Sequence, residues 1–423
     1  MSRHQQSFPG PDDITRVNLP NGITILVRAN FNSPSVVIGG HLSCGSLFDT
    51  DEKLGLADFT ALGLMRGTAT RAFQQIFDAL ESVGANLSFG AGAHNTGFSG
   101  RSLSEDLPLM LDLLADILRH PVFPPEEIER LRAQFLTSLA QRAQDTADMA
   151  SITFDQIVFD GHPYARPDDG WPDTIRAIRR DDLANFHQRC YGPQGMVIAL
   201  VGAIDPKIAV DHVAEALGDW TNLEQLKLPY LPALNPLGKT ITRKVKIPGK
   251  FQADLVIGTS GPHRKDPDYI ADALGNSALG QFGLGGRIGD VVREKSGLAY
   301  YASSTLNAGI GPGSWCVSAG VNPANVHKAR DLICREIGLF VEKGITPEEL
   351  ADSQSNFIGR LPLSLESNSG VANALLNIER YDLGLDYYRR YPDLVRAVAP
   401  EDVLTAARKY LDPDRLAIAI AGT

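Results

Sequence analysis

Residues able to do chemistry are plentiful in this chain of 423, and their spacing decides what they can do. Its nine histidines never fall closer than 25 residues apart, so no two can share a helix turn and grip one metal ion. Cys44, Cys190, Cys316 and Cys334 form no C-x-x-C pair, and a chain of this length needs no disulfide staples. Buried, inert thiols are expected. No G-x-S-x-G elbow is present, which argues against a serine hydrolase. Gly280-Gln281-Phe282-Gly283-Leu284-Gly285-Gly286-Arg287 fits neither the dinucleotide nor the P-loop spacing. It reads as a mobile glycine-rich loop, since glycine lets backbone bend cheaply. What remains is an acid, Asp58, in an apolar stretch, and Arg293 with Tyr300 after the glycine-rich segment. Taken singly, these would be a hydrogen-bonded acid, a surface ion pair and a core aromatic.

The elements that must position these residues are written twice. Asp181-Asp182-Leu183, Tyr191-Gly192-Pro193 and Val197-Ile198-Ala199-Leu200-Val201-Gly202 reappear 220 residues later as Glu401-Asp402-Val403, Leu411-Asp412-Pro413 and Ala417-Ile418-Ala419-Ile420-Ala421-Gly422. Pro125-Glu126-Glu127-Ile128 and Phe135 reappear as Pro347-Glu348-Glu349-Leu350 and Phe357. Three prolines at 229, 232 and 236 mark an extended linker. The organisation is therefore a first half over 1–222, a linker over 223–240 and a second half over 241–423. Within the first half, Ile14–Leu19 and Ile23–Arg28 flank Pro20-Asn21-Gly22 as a hairpin. Ser35–Leu42 reads as a strand, and 54–65, 71–83, 107–118 and 126–142 as helices. Leu87–Gly100 reads as a strand pair or one bent strand. Strands gathered among helices in this order suggest an α+β sandwich, with helices on one face of a largely antiparallel sheet.

Gly55-Leu56-Ala57-Asp58-Phe59-Thr60-Ala61-Leu62-Gly63-Leu64-Met65-Arg66-Gly67-Thr68 resembles the helix of the pitrilysin (insulinase) family of zinc peptidases, G-x-A-H-x-x-E-H-x-x-x-x-G-T. In that motif two imidazoles four apart hold zinc and the glutamate polarises the attacking water. Here those positions are Asp58, Ala61 and Leu62, a degenerate zinc motif. The family's third ligand is a glutamate on a later helix, and the matching Leu136-Thr137-Ser138-Leu139 contains no carboxylate. Leu80–Phe89, Gly161-His162-Pro163-Tyr164 and Arg293-Glu294-Lys295-Ser296-Gly297-Leu298-Ala299-Tyr300 also resemble family segments, the last being R-E-K-x-G-L-A-Y. The duplicated halves, linker and length are similar to one subunit of the two-subunit members, of the mitochondrial processing peptidase type.

The resemblance implies two homologous α/β-sandwich halves and no metal in this chain, with zinc held by a partner subunit. It implies that Arg293 and Tyr300 act in trans, the arginine on substrate carbonyls and the tyrosine on the oxyanion. Arg287 and Lys295 are left as structural or surface charges. Phe89-Gly90-Ala91-Gly92-Ala93-His94 resembles the strand beside the zinc helix, where substrate adds as a further strand. Gly90, Ala91, Gly92 and Ala93 are thereby candidates for substrate binding, and His94 for a local hydrogen bond.

The implied function is a zinc-free subunit of a heterodimeric metallopeptidase acting on unfolded peptides, inactive alone. The alternative is an inert scaffold or peptide-binding relative, and for the isolated chain both monomer and homodimer stay open. Forty Lys+Arg against fifty Asp+Glu give a net charge of −10, which argues against nucleic acid. No apolar run is long enough to span a membrane. The first eleven residues lack the apolar core of a signal peptide, so the expectation is cytoplasmic, or periplasmic if a signal peptide has been removed.

Overall fold

The computed structural model describes residues 8–281 and 285–422. Met1–Ser7, Thr423 and, within the glycine-rich segment, Phe282, Gly283 and Leu284 lie outside the described residues. The reading of residues 280–287 as a mobile loop falls in part on them.

Pro20-Asn21-Gly22 makes a hairpin between β1 (Thr15–Asn18) and β2 (Thr24–Ala29), with Gly22 at φ 97° in the turn. β3 (Ser35–Leu42), β4 (Asn86–Ala91), β5 (Thr96–Leu103) and β6 (Val197–Gly202) complete a six-stranded sheet ordered β1-β2-β6-β3-β5-β4. Leu87–Gly100 is thus a strand pair. In the second sheet, β7 (Ile241–Val245), β8 (Ala253–Gly261), β9 (Ala299–Asn307), β10 (Gly313–Val321) and β11 (Ala417–Ala421) follow the order β7-β11-β8-β10-β9. Only β2/β6 and β7/β11 run parallel, and every other pair is antiparallel. Without β1, the two orders match strand for strand.

Helices α1 (Leu56–Gly63), α2 (Phe73–Ser82), α3 (Leu107–Arg119), α4 (Pro125–Arg142), α5 (Thr146–Val158), α6 (Pro172–Ala177) and α7 (Arg180–Cys190) precede β6, and α8 (Pro206–Leu217) follows it. The second half carries α9 (Tyr269–Asn276), α10 (Val326–Lys343), α11 (Pro347–Ser364), α12 (Asn368–Arg380), α13 (Tyr387–Arg396) and α14 (Pro400–Tyr410). α1 packs on α7 and β4 as α9 packs on α14 and β9, so the duplication extends to helix packing.

The compact units do not follow the linker boundary alone. One holds the chain up to Leu139 with Pro167–Tyr230 and Leu361–Arg390; the other holds Ala140–Arg166, Leu231–Arg360 and the chain from Tyr391 on. The reason lies in strands that are apolar on both faces. β3 is buried from Val36 onward and β6 throughout, so each face needs a cover. Val36, Ile38 and Leu42 enter the main core of the first unit. The opposite face meets α12, with Gly39 against Leu376. In the second sheet Ile418 and Ile420 enter the main core, while Ala417, Ala419 and Ala421 pack with α5. Helices therefore crowd one face of each sheet, and a single exchanged helix covers the other. Both exchanged helices start on strong caps. The Asp145 carboxylate accepts from Ala147 N at 2.8 Å, and the Ser367 hydroxyl accepts from Gly370 N at 3.0 Å.

Cys44, Cys190 and Cys316 are buried free thiols, and burial pushes each up to about 12, which keeps them protonated. Among the described residues no helix is long and apolar enough to cross a membrane.

Candidate functional site

α1 begins where the chain turns through Gly55 at φ 91°, a position where a Cβ would lie 2.9 Å from the Asp169 carbonyl oxygen. The buried Asp49 carboxylate accepts from Gly55 N at 2.9 Å and Ala57 N at 3.0 Å, satisfying donors that a helix start leaves open. Phe59 fixes the inner face, its ring 5.1 Å from that of Phe135 on α4. Asp58 and Leu62 lie four apart on one face and line a common pocket of about 550 Å³. Ala61 is fully buried and does not line it. Ser138 and Leu139, from the stretch matching the family's third ligand, line the same pocket. Three of the positions where a metal site would be built thus converge, but their side chains do not suit zinc. One carboxylate stands among a leucine, a serine and a second leucine, and no metal-ligating cluster of three occurs among the described residues.

The Asp58 carboxylate has found other work. Its Oδ1 accepts from Ala91 N at 3.2 Å, which ties α1 to the last residue of the edge strand β4. Burial pushes Asp58 up to about 6; the Ala91 N–H pulls it down, and the carboxylates of Asp169 and Asp168 push it further up. The rest of the pocket is largely apolar, with Met65, Phe73, Phe77, Leu87 and Phe89 in its walls. Arg66 also lines it, but its guanidinium lies 3.8 Å from Glu127, donates to Gln134 at 2.9 Å and sits over the Phe73 ring.

Of the candidate substrate strand, Gly90 and Ala91 lie in β4, while Gly92 and Ala93 lie beyond it. Gly92 O accepts from Ser46 N at 3.0 Å and Ala93 O from Leu47 N at 3.1 Å, so both carbonyls are committed to the fold. Ala91 N turns to Asp58 rather than to β5, and antiparallel alternation then points the backbone of Phe89 and Leu87 to the open edge as well. The open edge of β4 thus presents the backbone of Leu87 and Phe89.

In the second unit, Arg293 stands on the helical segment Gly289–Lys295, and Tyr300 on β9, the edge strand of its sheet. Gly297 at φ 60° turns the chain between them, its N–H donating to Arg293 O at 2.9 Å. Arg293 is 43% exposed with Glu294 3.8 Å away, and Tyr300 is 62% exposed. A tyrosine with its hydroxyl in solvent is not serving as core. Next to it, Tyr301 points into the fold and donates to Asp254 Oδ1 at 2.5 Å. Arg287 is fixed as a fork on Glu349 at 2.6 and 2.7 Å, with Gly344 O at 2.9 Å, and Lys295 pairs with Asp290 at the surface.

Sequence reasoning missed one residue. Ile270-Ala271-Asp272 lies in the first turn of α9, as Leu56-Ala57-Asp58 lies in the first turn of α1. Asp272 is fully buried, and neither carboxylate oxygen has a hydrogen-bond partner among the described residues. Burial pushes it up to about 8; Asp268 adds to the rise, Lys409 opposes it and Asp266 adds a little more. The shared apolar-Ala-Asp triplet was the signal available.

Comparison with known proteins agrees with this geometry. Residues 24–167 match the family description "Insulinase (Peptidase family M16)", and 177–357 match "Peptidase M16 inactive domain". An uncharacterized zinc protease of Streptomyces coelicolor is 27% identical over 414 residues, 95% of this chain and 88% of that protein. A probable mitochondrial-processing peptidase subunit beta of Arabidopsis thaliana is 24% identical over 72% of this chain and 58% of its own length. A solved peptidase M16 inactive domain from Pseudomonas fluorescens superposes with TM-score 0.89 at 26% identity, covering 97% of both chains. A protease from Helicobacter pylori shares the fold, with TM-score 0.89 at 18% identity over 98% of this chain and 100% of that one.

Proposed function

The chain belongs to the insulinase family of peptidases, peptidase family M16, and on that premise we propose that it is a zinc-free subunit of a two-subunit metallopeptidase. A homologous partner carries H-x-x-E-H and the zinc. This chain lends Arg293 and Tyr300 to the partner's site, and the substrates are unfolded peptides.

One asymmetry carries this reading. The metal positions on α1 have become Asp58, Ala61 and Leu62, yet Arg293 and Tyr300 stand exposed on the second unit. An exposed guanidinium offers a planar fork of donors to peptide carbonyls. An exposed phenol can donate a hydrogen bond to the oxyanion that forms when water attacks a scissile carbonyl. Likeness to a protein named as one subunit of mitochondrial-processing peptidase supports a paired assembly.

The test is reconstitution. The chain alone is expected to cleave no fluorogenic unfolded peptide. Mixed with a homologue that has an intact H-x-x-E-H, it should form a heterodimer by light scattering and raise turnover well above that of the homologue alone. If the two never associate, or turnover is the same with and without this chain, the subunit reading fails and the inert peptide-binding reading replaces it.

A further inference from the structure

We propose that the pocket beside α1 is a ligand site for a protonated amine carried on an apolar body, with the Asp58 carboxylate as its counter-charge. This site lies within the first unit and does not depend on the assembly proposed above.

The cavity, about 550 Å³, falls in the range of sites that enclose small ligands. Leu62, Met65, Phe73, Phe77, Phe89 and Phe135 make its walls apolar and strongly aromatic, which suits a ring or branched aliphatic group. Charge narrows the choice of head group. Asp58 Oδ1 accepts from Ala91 N at 3.2 Å, and no cation is among the groups that shift its carboxylate. Asp168 and Asp169 sit close enough to raise the proton affinity of Asp58, so an anionic ligand would add repulsion. A neutral ligand would bury a carboxylate without a partner, which is costly. An ammonium group relieves both. The one cationic side chain in the lining, Arg66, is committed to Glu127 and Gln134.

Apolar or uncharged side chains stand where further metal ligands would be needed. Leu62 stands four residues from Asp58, where a second metal ligand would be needed, and Ser138 and Leu139 bring no charge from α4. The lining therefore joins apolar walls to two acids, Asp58 and Asp169.

An amine on an apolar body can be a free small molecule or the amino-terminal residue of a peptide. Calorimetric titration of the full chain at neutral pH should therefore use phenethylamine, a Phe-Leu-Ala amide peptide and the N-acetylated form of each. At least one of the two amines should bind with one ligand per chain, and acetylation should weaken it about tenfold or more, the loss expected for a charged hydrogen bond. Asp58→Asn should erase that preference, and Leu62→Trp, at a half-exposed wall position, should abolish binding of either. Thermal melting of both variants serves as the folding control. Binding of phenethylamine alone identifies a small-molecule site, and binding of the peptide alone identifies an amino-terminus site. The proposal is overturned if neither amine binds at millimolar concentration. It is equally overturned if the acetylated forms bind as well as the amines, or if Asp58→Asn keeps the preference for the amine.

Discussion

α1 and α9 are one element present twice, and they handle the same acid in opposite ways. Each packs against the equivalent helix, α7 or α14, and the equivalent edge strand, β4 or β9. On α1, Asp58 opens onto a pocket and uses an oxygen to hold the edge strand at Ala91. On α9, Asp272 is sealed, with neither oxygen hydrogen-bonded among the described residues. Exposure divides the other way: the metal-motif positions on α1 carry Asp58, Ala61 and Leu62, while the segment after α9 presents Arg293 and Tyr300 to solvent. The two copies thus share strand order and helix packing while differing in which side chains they leave open to solvent.

The sharpest way to break this comparison is titration. Asp272 sits at about 8, far above the ordinary carboxylate value, so the folded chain holds its proton more tightly than the unfolded chain does. Its contribution is most favourable below about pH 4, erodes as pH rises through about 8, and is level beyond. Over that window the loss should reach roughly 3–5 kcal/mol, and Asp272→Asn should flatten it. Denaturant melts of wild type and variant across pH measure this directly; parallel pH profiles would show that the acid is not sealed as described.

Asp58 should give the same sign with a smaller size. It sits at about 6 and lies partly open to solvent, so the erosion between about pH 4 and 6 should be about 1–2 kcal/mol. Asp58→Asn keeps an acceptor for Ala91 N while removing the charge. A pH effect in this variant larger than that of Asp272→Asn would invert the comparison.

The smallest expected effect is none. Dialysed protein should carry no stoichiometric zinc, because the residues of α1 and α4 that line the pocket offer one carboxylate and no imidazole. Elemental analysis finding about one tightly held zinc per chain would mean that another donor set has been overlooked.

Much of the fold was legible because the sequence repeats. An acidic helix start, a proline and a short apolar strand recurring at one offset became α7 with β6 and α14 with β11, and the strand orders follow from that duplication. The hairpin at Pro20-Asn21-Gly22 was legible because its turn chemistry is local. The exchange of α5 and α12 was not. An apolar helix face announces that it will be buried, but not against which sheet, and only the two-faced burial of β3, β6 and β11 decides it. The degenerate motif at Asp58, Ala61 and Leu62 could be read from residue types alone. Its replacement by an apolar pocket could not, since Phe73, Phe89 and Leu139 come from three other elements. Asp272 escaped because α9 lies 213–214 residues after α1, off the spacing set by the clearer blocks.

The central claim is that this subunit completes a partner's active site through the copy that kept exposed chemistry. Peptide cleavage by the reconstituted pair, with Tyr300→Phe in this chain, tests it most directly. Removing a single oxyanion donor typically lowers kcat by about 10²–10³. That fall is the predicted result, with KM little changed and melting unaltered, since Tyr300 is exposed. Arg293→Ala in the same assay should also raise KM, because it removes contacts to bound substrate. Full turnover by pairs carrying either variant, with normal melting, would contradict the account.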